Sequence, residues 1–309
     1  MRDRTAADVA HQLWMDTWAA EVVAAMEAGG LRPILLKGAS TAGWLYPEAP
    51  HDRPYADLDL IVAPDQQAPA EAVLTTLGFA PEARWWPRDD PPHARAWIRS
   101  SDGASVDLHH SLHDCDAVAD AEVWAVVSEA PQPWPVGARN VEVPSEEVRA
   151  LHLVLHFNPR VDLPDGQPAR DLERGVRRLT PGTWEGAAAA ARRLGVEDLM
   201  SYRLHLVDGG SELAALLQLP DPASPEARLD SPEAQFLLRL QALPGVRSKT
   251  RFLLEKAFPP RNYMTHPVRF SGEGSTAMAT AYLRRVGAAL ADLPRLARTW
   301  SQIHRRRNR

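Results

Sequence analysis

The sequence predicts an α+β protein, with a mixed β-sheet flanked by helices in its N-terminal part and a mainly α-helical C-terminal region. Short apolar runs at 33–36, 57–62, 95–100 and 104–108 are interleaved with stretches of helical periodicity, the pattern of a sheet covered by helices. After Val141-Glu142-Val143-Pro144 the strand-like runs stop, and nearly every later segment has helical spacing. With 309 residues and 45% hydrophobic content, the chain can bury one large core or two ordinary ones. Two domains are therefore expected, 1–144 and 145–309, the second ending in a basic tail.

The first helix is expected from Thr5 to Ala28, where Val9, Leu13, Trp14, Trp18, Val22 and Met26 form an apolar stripe ended by Gly29-Gly30. Pro33 to Leu36 reads as a short strand that breaks at Lys37-Gly38, and Ser40 to Tyr46 as the next helix. Pro47 to Pro54 reads as loop, Asp57 to Val62 as strand, and Pro64-Asp65 opens a helix ending near Gly78. Phe79 to Trp86, Arg95 to Ser100 and Ala104 to Leu108 read as strands, the last two joined by a hairpin turn at Ser101-Asp102-Gly103. Ser145 is an N-cap ahead of Val148, Leu151, Val154 and Leu155; 158–168 is loop, and Ala187 to Ala191 is one helix face.

The N-terminus, MRDRTAADVAHQLW, lacks the basic-then-apolar layout of a secretory leader, and no window approaches 18 uninterrupted apolar residues. The single Cys115 excludes an internal disulfide framework, so a reducing, cytoplasmic setting is expected. A net charge of −5 argues against indiscriminate nucleic-acid binding. Its distribution is uneven, because residues 284–309 carry +7 and leave −12 elsewhere. Val286, Leu290, Leu293, Leu296 and Trp300 among those arginines suit a packed terminal helix, or else contact with an anionic partner such as RNA or a membrane surface. Lysine occurs only at 37, 249 and 256 in this arginine-rich chain, which singles out Lys37 beside its glycine.

The chemistry concentrates between Ile34 and Val62. Asp57 and Asp59, two apart in a strand, project to one face while Leu58, Leu60 and Ile61 anchor the strand in a core. Paired buried carboxylates are costly unless a cation sits between them. A third acid, Asp107 in Val106-Asp107-Leu108, has the pattern of an inward-facing carboxylate on a neighbouring strand. Three such acids form the half-cage that Mg²⁺ shares with substrate phosphates, and can hold two metals for in-line displacement at phosphorus. Upstream, Gly38 and Ser40 supply a turn in which backbone can approach a phosphate, and Lys37 and Arg53 can neutralise phosphate charge. No GxxxxGK[ST] or GxGxxG motif is present.

The histidines carry weaker signals. His109 shares a strand face with Asp107 and is expected near the phosphates or orienting that carboxylate, whereas His109, His110, His113 and Cys115 form only a poor zinc pattern. His152 and His156 lie one helical turn apart, suited to a core or polar cluster. Asp171 either pairs with Arg170 or Arg174 or closes the active-site cleft.

The succession of a helix, LLKG-A-S, a loop ending in arginine, D-L-D-L-I-V and V-D-L-H resembles the DNA polymerase β-like nucleotidyltransferase superfamily. More narrowly, it is similar to a bacterial family of uncharacterised nucleotidyltransferases over roughly residues 5–175. The resemblance implies a nucleotidyltransferase-like N-terminal sheet, with Gly38 and Ser40 as phosphate turn and Asp57, Asp59 and Asp107 as ligands for Mg²⁺ or Mn²⁺. Asp107 would also serve as general base for an acceptor hydroxyl. It implies an NTP substrate, ATP among the candidates, and an acceptor that the sequence does not name; Lys37, Arg53 and His109, singled out by the residues themselves, are expected beside the nucleotide. The superfamily turn is more often Gly-Ser or Gly-Gly directly, whereas Ala39 intervenes here. The competing expectation is a noncatalytic nucleotide-binding or antitoxin-like partner protein that keeps the fold; three retained carboxylates argue against it.

Overall fold

The computed structural model describes residues 6–82, 93–115, 118–159, 162–163, 165–221 and parts of 236–301. By contacts the chain forms two compact units, Met1–Glu82 with His93–Pro222, and Ala83–Pro92 with Ala223–Arg309. The change from mixed to all-helical structure at Pro144 falls within the first unit.

In the first unit, α1 (Ala6–Ala28) leads to β1 (Ile34–Leu35), α2 (Ala39–Leu45), a 3-10 turn at Pro50–Asp52 and β2 (Leu58–Ile61). A 3-10 turn at Pro64–Gln66, α3 (Gln67–Thr76), β3 (Phe79–Pro81), β4 (Ala94–Arg99) and β5 (Ser105–His109) follow. Then come α4 (Asp120–Val127), β6 (Gln132–Val136), β7 (Arg139–Val143) and the helices α5 (Glu146–His156), α6 (Gln167–Arg178), α7 (Pro181–Arg193), α8 (Glu197–Leu204) and α9 (Gly210–Leu216). In the second unit α10 (Gly245–Ala257) buries Phe252. The fold is α+β, and no described helix is long and apolar enough to cross a membrane.

The seven strands form one mixed sheet in the order β3-β4-β5-β2-β1-β7-β6. β2 pairs in parallel with β5, which sets Asp59 opposite Asp107, and antiparallel with β1, which sets Leu35 opposite Leu60. Side-chain alternation then sorts the sheet into two faces. Leu35, Leu58, Leu60, Val106 and Leu108 pack with Met15, Trp18, Val22 and Met26 of α1 and Leu74 of α3. Ile34, Leu36 and Ile61 point the other way, into a core shared with α4 to α8. Asp57, Asp59, Asp107 and His109 alternate with the first set and so emerge on the second face, the one covered by α5.

Most element boundaries differ from expectation by a residue or two, and three differences bear on the site or the sheet. β2 begins at Leu58, so Asp57 precedes the strand; β3 ends at Pro81, and residues 83–86 of the expected strand lie outside the described residues. The β6–β7 hairpin extends the sheet where only its last residues looked strand-like. Pro133 and Pro135 remove two ladder donors from β6, which obscures its pattern, yet both are tolerated because β6 is an edge strand. The N-cap of α5 is Ser145, whose Oγ accepts from Val148 N at 3.4 Å.

Candidate active site

Asp57, Asp59 and Asp107 each offer a carboxylate oxygen within 4.8 Å of the others, the sole such group of potential metal ligands among the described residues. Asp59 is fully buried, and its Oδ1 accepts from Lys37 Nζ at 3.0 Å and from His109 Nε2 at 3.0 Å. Its Oδ2 is buried with no hydrogen-bond partner among the described residues. Burial opposes the Asp59 charge most strongly, but Lys37 and His109 outweigh it and hold the carboxyl well below the usual carboxylate range. Asp57 and Asp107 shift the other way, first because burial disfavours their charge and then because Asp59 repels it. An unpartnered buried oxygen beside two carboxyls of raised pKa fits a divalent cation, whose charge would relieve all three.

Lys37 follows β1 and is largely covered. Burial is the strongest influence on its ammonium and opposes the charge, yet Asp59, Asp57 and Asp107 together raise its pKa above the ordinary lysine value. Its Nζ also lies 3.3 Å from His156 Nε2; an ammonium can only donate, so the imidazole proton of His156 sits on Nδ1. Of the two expectations for His109, a place near the phosphates or an orienting contact to Asp107, the second is not found: its Nε2 contacts Asp59, the second carboxylate of the triad. Its Nδ1 faces the carbonyl of Ser111 at 3.4 Å.

Gly38 caps α2 with φ 71° and ψ −122°, a conformation that disfavours any side chain, and a Cβ there would stand 3.4 Å from the Tyr55 ring. Tyr55 is fixed in turn by a hydrogen bond to Asp16 Oδ1 of α1. Ser40 is buried, with its hydroxyl 3.4 Å from the carbonyl of Lys37. Lys37, Gly38 and Ser40 are therefore held between α1, through Tyr55, and the carboxylates.

Of the two alternatives left open for Asp171, pairing with Arg170 or Arg174 is not found, and Asp171 lines a cavity with Lys37 and Arg53 instead. Asp171 contacts neither Arg170 nor Arg174; its Oδ2 accepts from Arg53 Nε at 2.7 Å, and its Oδ1 from Tyr46 OH at 2.8 Å and Gln167 Nε2 at 2.7 Å. Arg174 donates instead to the Leu45 carbonyl and to Glu48, and Arg170 to the Asp165 carbonyl and to Gln167. Arg53 and Asp171 are both buried, which locks the loop before β2 against α6. The zinc alternative dissolves as well: His113 pairs with Asp114, His110 lies beside Asp120, and Cys115 is buried in the core. His152 and His156 of α5 line a cavity with Lys37, Thr41 and Arg53, a role that their helical spacing alone did not reveal.

Asp59 and Asp107 thus lie on adjacent parallel strands of a mixed sheet, with Asp57 just before β2, a glycine turn beside them and a lysine paired with the central acid. Residues 1–209 match the family described as uncharacterised nucleotidyltransferase, and the chain belongs to that family. No curated protein matches the chain. Among solved structures, a solution structure of the antibiotic-resistance factor ANT(2'')-Ia is similar at TM-score 0.43 and 16% identity, covering 60% of this chain and 95% of that one. A crystal structure of ANT(2'')-Ia in complex with adenylyl-2''-tobramycin gives TM-score 0.34 and 17% identity, covering 62% and 95% respectively.

Proposed function

We propose that the protein transfers a nucleoside monophosphate from an NTP to a hydroxyl or phosphate acceptor, with pyrophosphate leaving. The observation that carries this reading is the Asp57, Asp59, Asp107 triad, with the Asp59 Oδ2 buried and unpartnered. Those three side chains would hold Mg²⁺ or Mn²⁺, which supplies charge neutralisation on the triphosphate and on the leaving group.

The chain's own residues do the rest. Lys37 and His109 keep Asp59 ionised, so the central ligand needs no deprotonation when substrate arrives. Gly38 lets backbone approach the triphosphate, with Ser40, Lys37 and Arg53 beside it. Asp107 is half-buried opposite Asp59 in the parallel β2–β5 pair, which places a carboxylate where it can take a proton from an acceptor hydroxyl. Positioning and charge neutralisation supply most of the rate in such a scheme. We keep residues 1–144 as the proposed catalytic domain and the helical region 145–309 as the part that shapes the acceptor pocket, in a cytoplasmic setting.

The test is incubation with labelled NTPs, Mg²⁺ or Mn²⁺ and a cell extract. Label should pass to an acceptor with wild type and fail to pass with Asp57→Ala/Asp59→Ala or in the presence of EDTA. Equal labelling by the double variant sinks the assignment. Metal-dependent NTP binding without transfer to any acceptor would favour the noncatalytic partner protein.

A further inference from the structure

Positive charge and exposed apolar surface both concentrate in the second unit. Residues 223–309 hold sixteen Arg and Lys against six Asp and Glu, a charge of +10, which leaves −15 on residues 1–222. Of the thirteen large hydrophobic side chains exposed among the described residues, seven lie in this segment. Soluble surfaces scatter such side chains singly, whereas a grouped set marks a surface that docks on something.

In α10 these side chains form a stripe. At ~100° per residue, Val246, Leu253 and Leu254 fall within an arc of about 100°, and all three are exposed, while Phe252 on the far side is buried. Lys249 and Lys256 border the arc on one side and Arg247 and Arg251 on the other; Glu255, the one acid of the helix, lies opposite. The stripe continues past the helix end. Phe258, one turn on from Leu254, is 57% exposed; its ring lies 6.2 Å from that of Tyr282, whose hydroxyl donates to the Pro259 carbonyl. That contact fastens α10 to the C-terminal stretch, where Leu283 is 72% exposed and every described residue from 280 to 301 is helical. There Leu293 and Trp300, two turns apart, are exposed on one face, with Arg295 and Arg298 on the other.

We infer that the second unit docks on the surface of an anionic phospholipid bilayer, with Val246, Leu253, Leu254 and Phe258 seated at the acyl boundary and the flanking lysines and arginines among the headgroup phosphates. An apolar arc bordered on both sides by long basic side chains is the arrangement of a helix that lies in an interface, because those stems follow the apolar surface while their charges reach back to the headgroups. At 13 residues α10 is too short to cross a bilayer and lies along it. Charge complementarity selects anionic lipid. An RNA strand would satisfy the cations and leave the apolar stripe in water. A second copy would bring two segments of +10 face to face. The inference goes beyond the transfer reading and does not depend on it.

Co-sedimentation of the full chain with phosphatidylcholine vesicles, with and without phosphatidylglycerol, tests it. Wild type should pellet with the mixed vesicles and stay in solution beside pure phosphatidylcholine. Leu253→Ser/Leu254→Ser removes two seated side chains and no charge, and should weaken vesicle binding by about tenfold or more. Lys249→Gln/Lys256→Gln should weaken it by about tenfold as well, and added salt should act in the same direction. All four positions lie at the surface of α10, and near-UV circular dichroism of both variants checks that the fold is kept. If wild type ignores the anionic vesicles, or if the leucine variant binds them as wild type does, the inference is overturned. Binding of poly(U) in place of vesicles would assign the cations to nucleic acid, and dimerisation in sedimentation velocity in place of vesicle binding would assign the stripe to a second copy; either result also overturns it.

Discussion

Burial disfavours the charge on all three carboxylates before any substrate arrives, and the three acids differ because their neighbours differ. Asp59 touches Lys37 and His109, whereas Asp57 and Asp107 meet mainly burial and the charge of Asp59. Asp59→Asn keeps the side-chain shape but removes the central charge. Transfer should fall by ~10²–10³ or more, the scale seen when one preorganised electrostatic group is lost, and the melting temperature should fall too, because the covered Lys37 ammonium loses its charged partner. Initial rates with labelled NTP, alongside a thermal melt, check both halves. Asp171 predicts the opposite balance, because it anchors the loop before β2. Asp171→Ala strands the buried Arg53 guanidinium and should destabilise the fold by about 3–5 kcal/mol in urea unfolding. Tyr46→Phe, which removes one donor to the same carboxylate, should cost only about 1 kcal/mol.

At the scale of elements, α5 joins the helical cover to the sheet through histidines that burial keeps neutral. Burial pushes His152 down to about 3 and His156 well below the ordinary histidine value, with Lys37 adding to both; Asp59 opposes, while His109 for His152 and Arg53 for His156 reinforce. In the unfolded chain both titrate near ~6.5. Below that value the unfolded state therefore binds protons that the folded state refuses, down to about 3 for His152, and stability falls as the pH falls. The slope should reach ~1.4 kcal/mol per pH unit for each histidine. Urea midpoints at pH 7.5, 6.0 and 5.0 should drop accordingly, and His152→Gln should flatten the curve by about half of the α5 contribution. A midpoint that does not move between pH 7.5 and pH 5.0 would show that these rings are not held neutral.

The same elements show which features local sequence could reveal. Asp57, Asp59 and Asp107 were legible because a two-residue period among apolar neighbours fixes both the strand and the face. The parallel pairing of β2 with β5 then brings the acids together. β6 was hidden by its own prolines. The Arg53–Asp171 pair spans 118 positions, and nearer arginines at 170 and 174 offered a more obvious partner that the turn of α6 directs elsewhere. Arg149 has the local spacing of a solvated helix arginine three residues after Glu146. Its burial depends on Trp44 from α2 and Trp134 from β6, a convergence that no single segment encodes.

At the scale of the whole molecule, the two hydrophobic cores of the first unit draw all their members among the described residues from before residue 222. Their buried members run from Met15 to Leu217, and Leu219 is the last partly buried residue packed against them. The family match ends at 209, and the first compact unit ends at Pro222. A core that size is self-sufficient, whereas residues 223–309 group with Ala83–Pro92 in a unit of their own. A chain ending at Pro222 should therefore unfold in a single urea transition and retain the metal-dependent labelling that Asp59→Asn removes. It also loses the +7 segment at 284–309, so its retention on heparin should drop if that segment is what meets an anionic partner. Loss of cooperative unfolding in the 1–222 chain would mean that the later residues complete the fold, and unchanged heparin retention would locate the anionic contact on the catalytic unit instead.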